Sequence, residues 1–164
     1  MKPRMNTDKN ASRDHLWLQH MSKHIVATVN EIPVGGRKLV EIEGRSIGVF
    51  NLGGEFFALK SRCPHQGGPL CEGKVGSLVE ADVPGAYTLS RPGEMLRCPW
   101  HSWEFDIRTG QSWWHPARMR VAQYPVTVED GAALESAGWQ KGPYVAETFR
   151  VEVNQQYLLV EINP

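Results

Sequence analysis

The sequence predicts an all-β fold, in which antiparallel β-sheets form a scaffold for one small loop-rich subdomain. Three observations predict it. The 164 residues include 16 Gly and 11 Pro, which interrupt long helices and favour many short strands. Apolar residues alternate with polar ones over short runs, as half-buried strands require. Gly53-Gly54 separates two such runs, and a Gly-Gly pair supplies the positive φ of a two-residue hairpin.

The elements follow in order. Residues 1–22 show no strand pattern and are expected to be a poorly ordered leader. A helix over residues 12–20 would be marginal at that length. Ile25-Val26-Ala27-Thr28-Val29 reads as the first strand. Residues 38–42 alternate, Glu43-Gly44-Arg45 turns, and residues 46–50 return. The Gly53-Gly54 hairpin then leads into Phe56-Phe57-Ala58-Leu59, completing a meander of three or four strands ahead of Cys63. The next stretch is rich in Gly, Pro, Cys, His and Trp, with short strand candidates at 86–90, 95–97 and 104–107. Residues 119–128 alternate as one strand, and the Gly/Ala-rich residues 131–142 interrupt the pattern. Residues 145–162 read as a closing hairpin that turns near Asn154-Gln155-Gln156. The expected organisation is a leader over 1–22 and one domain over 23–164, with its loop-rich subdomain at about 60–116.

Composition narrows the function. Lys plus Arg is 18 and Asp plus Glu is 18, so the formal net charge is zero. That disfavours a nucleic-acid partner held through phosphate neutralisation, and equally a polybasic membrane module. Apolar runs are too short to span a bilayer. The three cysteines, Cys63, Cys71 and Cys98, are too few and odd in number for a disulfide framework. The first twenty residues lack the apolar core of a signal peptide. The expected compartment is the reducing cytoplasm, where such cysteines are metal ligands or buried thiols.

Two clusters carry the chemistry. Cys63-Pro64-His65-Gln66-Gly67-Gly68-Pro69-Leu70 contains Cys-x-His, and Cys98-Pro99-Trp100-His101 contains Cys-x-x-His. Two thiolates and two imidazoles suit either tetrahedral zinc or a [2Fe–2S] cluster with both Cys on one iron and both His on the other. A zinc finger pairs Cys with Cys and His with His. Here each loop offers one of each, which suits a two-iron cluster held between two loops. Cys63, His65, Cys98 and His101 are therefore the expected ligands. Gly67 and Gly68 allow close backbone approach, and Pro64 and Pro99 stiffen the loops beside each Cys.

Through these motifs the chain resembles the Rieske [2Fe–2S] proteins over about residues 24–164. The resemblance implies a Rieske fold with one [2Fe–2S] cluster, and His65 and His101 near solvent. The two neutral imidazoles replace two charged thiolates and so raise the potential above that of a four-Cys cluster. The respiratory branch of the family carries a disulfide between its ligand loops and hydroxyl donors to the sulfurs. The corresponding positions here are Gly68, Trp100, Trp103 and Phe105. None of them can supply those groups, so the expected midpoint lies towards the low end of the Rieske range, about −150 mV. Exposed imidazole ligation also implies a midpoint that falls at alkaline pH. The nearest resemblance is to the soluble ferredoxin component of ring-hydroxylating dioxygenase systems. It implies a one-electron carrier between a flavin-dependent reductase and a terminal oxygenase, docking transiently near His65 and His101. The length leaves no room for the mononuclear-iron domain of an oxygenase subunit. Two alternatives stand beside it: a tightly bound small subunit of a larger redox enzyme, and a zinc-stabilised binding module.

Some residues depart from the pattern. Ser102 stands where the family has Gly, and is strained if that position needs positive φ. Cys71 reads as a small buried residue near the cluster. Residues 75–95 form an insertion, expected either as a hairpin flanking the cluster or as a solvated decoration. Trp113-Trp114-His115-Pro116 fits either a docking surface or packing beneath the loops. His15, His20, His24 and His115 read as surface residues.

Overall fold

The computed structural model describes residues 22–137 and 155–162. Residues 1–21 of the expected leader and the first arm of the closing hairpin lie outside the described residues, as do His15 and His20, while Ser22, the leader's expected last residue, instead opens the first strand. Ten strands make up three antiparallel sheets among the described residues. They are β1 (Ser22–Thr28), β2 (Arg37–Ile42), β3 (Arg45–Leu52), β4 (Glu55–Lys60), β5 (Lys74–Val83), β6 (Ala86–Arg97), β7 (Glu104–Asp106), β8 (Gln123–Tyr124), β9 (Val126–Asp130) and β10 (Gln156–Ile162). The sheets run β1-β10-β9, β2-β3-β4-β8 and β5-β6-β7.

The meander follows its sequence signals. Leu52 pairs with Glu55 around Gly53 and Gly54, whose φ values of 66° and 99° are those that Gly adopts without a Cβ penalty. Asn51 secures this turn from a buried position. Its Oδ1 accepts from the Gly54 amide at 2.8 Å, and its Nδ2 donates to the Ile32 carbonyl at 2.7 Å. Thr28 ends β1 at a short 3-10 turn, where its amide donates to Glu31 Oε1 at 3.0 Å.

The single strand expected over 119–128 is instead two. β8 pairs with β4, β9 pairs with β10, and Pro125 lies between them. Proline has no amide to continue a ladder, and its carbonyl accepts from the Glu161 amide at 3.0 Å. The chain thus changes sheets there. The Gly/Ala-rich stretch begins as a short helix, α1 (Gly131–Ser136), with Leu134 buried against Tyr157 and Leu159. β10 is the second arm expected of the closing segment, and it lies between β1 and β9.

Residues 75–95 lie within a long hairpin. β5 and β6 pair from Lys74–Arg97 to Val83–Ala86, with irregular register at two places. The strands expected at 86–90 and 95–97 are one strand bent near Arg91 and Gly93, which have φ of 50° and 81°. Asp106 braces this bend. It is buried, and its Oδ2 lies 2.7 Å from Arg91 Nη2. Its Oδ1 accepts from the amides of Arg108 at 2.8 Å and Thr109 at 3.2 Å. The base of the hairpin is thereby tied to the turn after β7.

Two main cores result. One packs β1, β3 and β10 through Val26, Ile47, Val49, Leu158 and Val160. The other joins β3 and β4 to β6 and β7 through Phe50, Leu59, Leu96 and Phe105, and it contains all three cysteines. Burying each large side chain contributes about 1.5–3 kcal/mol. Cys71 is fully buried, as expected, and its thiol points at the Leu59 carbonyl at 3.6 Å.

Candidate metal centre

The two motifs occupy the tips of two loops that face each other. The first follows β4 and ends at the 3-10 turn Leu70–Glu72; the second joins β6 to β7. They share one hydrogen-bond pattern. The Cys63 amide donates to the Gly68 carbonyl at 2.9 Å, and the Cys98 amide to the Trp103 carbonyl at 2.8 Å. The Gly67 amide donates to the Cys63 carbonyl at 2.8 Å, and the Ser102 amide to the Cys98 carbonyl at 3.0 Å. The fourth residue after each Cys has positive φ, 79° at Gly67 and 58° at Ser102. The same turn is therefore built twice, once with the residue that suits it.

Ser102 is strained as expected. A non-glycine residue in this region costs about 1–2 kcal/mol. Ser102 is exposed and donates no side-chain hydrogen bond among the described residues. Replacing Ser102 with Gly removes the strain but adds backbone freedom to the unfolded chain. The expected net gain is about 0.5–1 kcal/mol, or about 1–4 °C in Tm, measurable by thermal scanning of the two proteins.

All four residues singled out from the motifs come together. Cys63 and Cys98 are buried at the edge of the core. Burial pushes the Cys63 thiol above its ordinary range, and the neighbouring Cys98 pushes it the same way. The backbone amides of His65 and Gln66 act oppositely, by offering hydrogen bonds to the sulfur. Outside the thiols lie the imidazoles. The His65 and His101 rings meet edge to face, with centroids 5.0 Å apart. His101 is exposed and His65 half-buried.

The donor set fits a two-iron cluster. Two soft sulfurs lie inside and two imidazoles outside, matching the division of ligands between two irons. His65 Nδ1 is buried without any hydrogen-bond partner, an arrangement costly for an imidazole nitrogen unless it ligates. A Cβ added to Gly68 would lie 2.9 Å from the Trp100 ring and 3.2 Å from Cys98 Sγ, so only Gly leaves that wall of the site open. Gly73 holds the loop base against β6, where an added Cβ would lie 1.9 Å from the Arg97 carbonyl oxygen. Among the described residues, no three His, Cys, Asp or Glu side chains converge as a site for one ion.

The motifs did not indicate how Trp103 is used. Its ring stacks on His65 at 4.8 Å and 29° between planes. Trp114 follows it at 6.3 Å. Trp113 and Trp114 are exposed, at 50% and 72%, so they lie on the surface rather than beneath the loops. Phe105 is fully buried. His24 is half-exposed beside Ser22 and Glu43, and His115 is exposed.

Comparison with known proteins shows the family. A family model for the Rieske [2Fe-2S] domain matches residues 22–125. The 3-phenylpropionate/cinnamic acid dioxygenase ferredoxin subunit of Photorhabdus laumondii is 34% identical over 111 residues, covering 68% of this chain and 90% of the relative. The protein of the same name from Escherichia coli K12 is 30% identical over the same coverage. Among solved structures, the Sphingomonas yanoikuyae B1 ferredoxin superposes with a TM-score of 0.50 at 28% identity, covering 66% of this chain and 92% of that one. With its paired Cys–His loops and a match running from the first strand through the second loop and beyond, this chain belongs to the Rieske [2Fe–2S] domain family.

Proposed function

We propose that this protein is a low-potential Rieske ferredoxin that carries single electrons from a flavin-dependent reductase to the terminal oxygenase of a ring-hydroxylating dioxygenase system. The observation that carries the reading is the pair of facing Cys–His loops, together with the similarity to dioxygenase ferredoxin subunits over nine-tenths of their length. Cys63 and Cys98 would hold the inner iron of a [2Fe–2S] cluster, and His65 and His101 the outer one. Residues 60–116 would be its cluster-binding subdomain. When bound, the cluster supplies a reversible one-electron store.

The chain's residues set how that store is used. The core around Phe50, Leu59 and Phe105 excludes water from the sulfur side. The His65 and Gln66 amides aim positive dipoles at the Cys63 sulfur and favour its thiolate. Exposed His101 and half-buried His65 bring the electron path to the surface. Trp103 and Phe105 present no hydroxyl towards the sulfurs, which leaves the reduced state less stabilised. No helix among the described residues is long and apolar enough to cross a membrane. The small, odd cysteine count suits a cytoplasmic carrier.

Purification with iron and sulfide followed by EPR of the reduced protein tests the assignment. The expected result is the anisotropic spectrum of a two-iron, two-imidazole cluster with a midpoint well below zero. A colourless protein holding one zinc, or a midpoint well above zero, overturns it.

A further inference from the structure

The overall neutrality of the chain hides a local imbalance. Beside the first candidate ligand loop lies an open cleft of about 570 Å³, lined by residues that include Lys60, Arg62, His65, Gln66 and Arg120, and by no Asp or Glu. Elsewhere five cations are matched by carboxylates, whereas Lys74 and Arg118 also stand without an ion pair among the described residues. Lys23 pairs with Glu129, Lys38 with Glu31, Arg91 with Asp106, and Arg108 with Glu94. Arg97 pairs with Glu104 across the second loop's arms. By contrast, Lys60, Arg62 and Arg120 show no ion pair or side-chain hydrogen bond among the described residues. The Arg62 guanidinium is held over Gly67, where an added Cβ would lie 3.3 Å from Nε. The three cations come from separate places, the end of β4, the first loop, and the segment ahead of β8. Lys60 and Arg62 lie within five residues of His65 in sequence, and packing brings the distant Arg120 to the same cleft.

We propose that this cleft docks the carboxylates of an acidic surface on the electron-transfer partner, making the His65 side of the protein an anion-selective electron port. The inference rests on the electron-carrier reading above. Unpaired charges of one sign in a concave wall focus the field and speed the approach of an oppositely charged partner. The charges stand at the edge of the redox site, so the field would orient a partner at the place where the electron passes.

Small redox complexes of opposite charge test it. The holoprotein, first shown by EPR to carry its cluster, is reduced and mixed in a stopped-flow instrument with hexacyanoferrate(III) or with tris(phenanthroline)cobalt(III). In each case one electron passes from protein to complex, reducing iron(III) to iron(II) or cobalt(III) to cobalt(II), and no proton is required. The expected rate with the anion falls about tenfold between low and high salt, while that with the cation rises or stays level. Arg62→Gln and Arg120→Gln should each slow the anion about threefold at low salt. Lys23→Gln, which removes one positive charge in another sheet, should not. A separate measurement needs no electron transfer. Redox-inert hexacyanochromate(III), titrated into the oxidised holoprotein, should broaden the NMR amide signals of Lys60, Arg120 and Ala122, and the Arg120→Gln variant should weaken that broadening. Equal salt dependence for both complexes, unchanged rates in both arginine variants, or broadening elsewhere on the surface overturns the proposal. A protein without a cluster overturns the electron-carrier reading instead.

Discussion

Replacing Cys98 with Ser is expected to reduce the bound iron from two atoms per chain to nearly none and to abolish the visible and EPR signals. The physical reason is that the inner iron would lose a thiolate at a buried position. A serine hydroxyl is a harder and far weaker acid, and there it would have to ionise at a buried position. The same outcome is expected for Cys63→Ser, since burial pushes that thiol upwards and only nearby amides oppose the shift. His101→Ala should also lose the cluster. It should perturb the apoprotein less than a change at Cys98, because His101 is exposed and Cys98 belongs to the core. Iron and sulfide analysis, together with circular dichroism, separates loss of the cluster from loss of the fold. A Cys98→Ser protein that retained two irons with an unchanged spectrum would remove Cys98 from the ligand set.

The second large effect is alkaline destabilisation through Cys71. Burial pushes this thiol up to about 11. Hydrogen bonding from Ser61 and the Gly48 backbone opposes the shift without cancelling it. An ordinary thiol titrates near 8.5. The folded protein therefore keeps the Cys71 proton over a pH range in which the unfolded chain releases it. The stability contributed by the neutral thiol is complete below the unfolded value and is lost as pH rises through the folded one. Between about pH 9 and 11 the loss is on the order of 2–3 kcal/mol, or about 5–10 °C in Tm. Cys71→Ala removes the titrating group, so its Tm should fall less steeply over that interval even if it begins lower from lost packing. Parallel Tm curves for the two proteins would show that Cys71 has no part in the alkaline limb.

The four candidate ligands were legible in the sequence because metal chemistry restricts both residue type and spacing. Cys63-x-His65 and Cys98-x-x-His101 have few alternative meanings. The β-meander was equally legible, since Gly53-Gly54 and the alternation on either side of it are local signals. The strain at Ser102 followed from a single departure at a defined loop position, and its φ of 58° agrees. In each case the determining interaction lies within a few residues along the chain.

What the tertiary structure decided depends on residues far apart in sequence. The alternation over 119–128 is continuous, yet Pro125 divides it because each half meets a different neighbour, β4 or β10. β10 lies between β1 and β9, a placement that no local pattern encodes. Trp103 reads as a missing hydroxyl donor in the sequence, but in the fold it is the ring stacked on His65. The zero net charge is a sum over the whole chain and places no charge at any site. Pairing consumes Lys23, Lys38, Arg91, Arg97 and Arg108, while Lys60, Arg62 and Arg120 stand together beside the candidate ligand. Charge composition is additive along the chain, whereas the field at a site depends on which charges packing neutralises and which it leaves exposed.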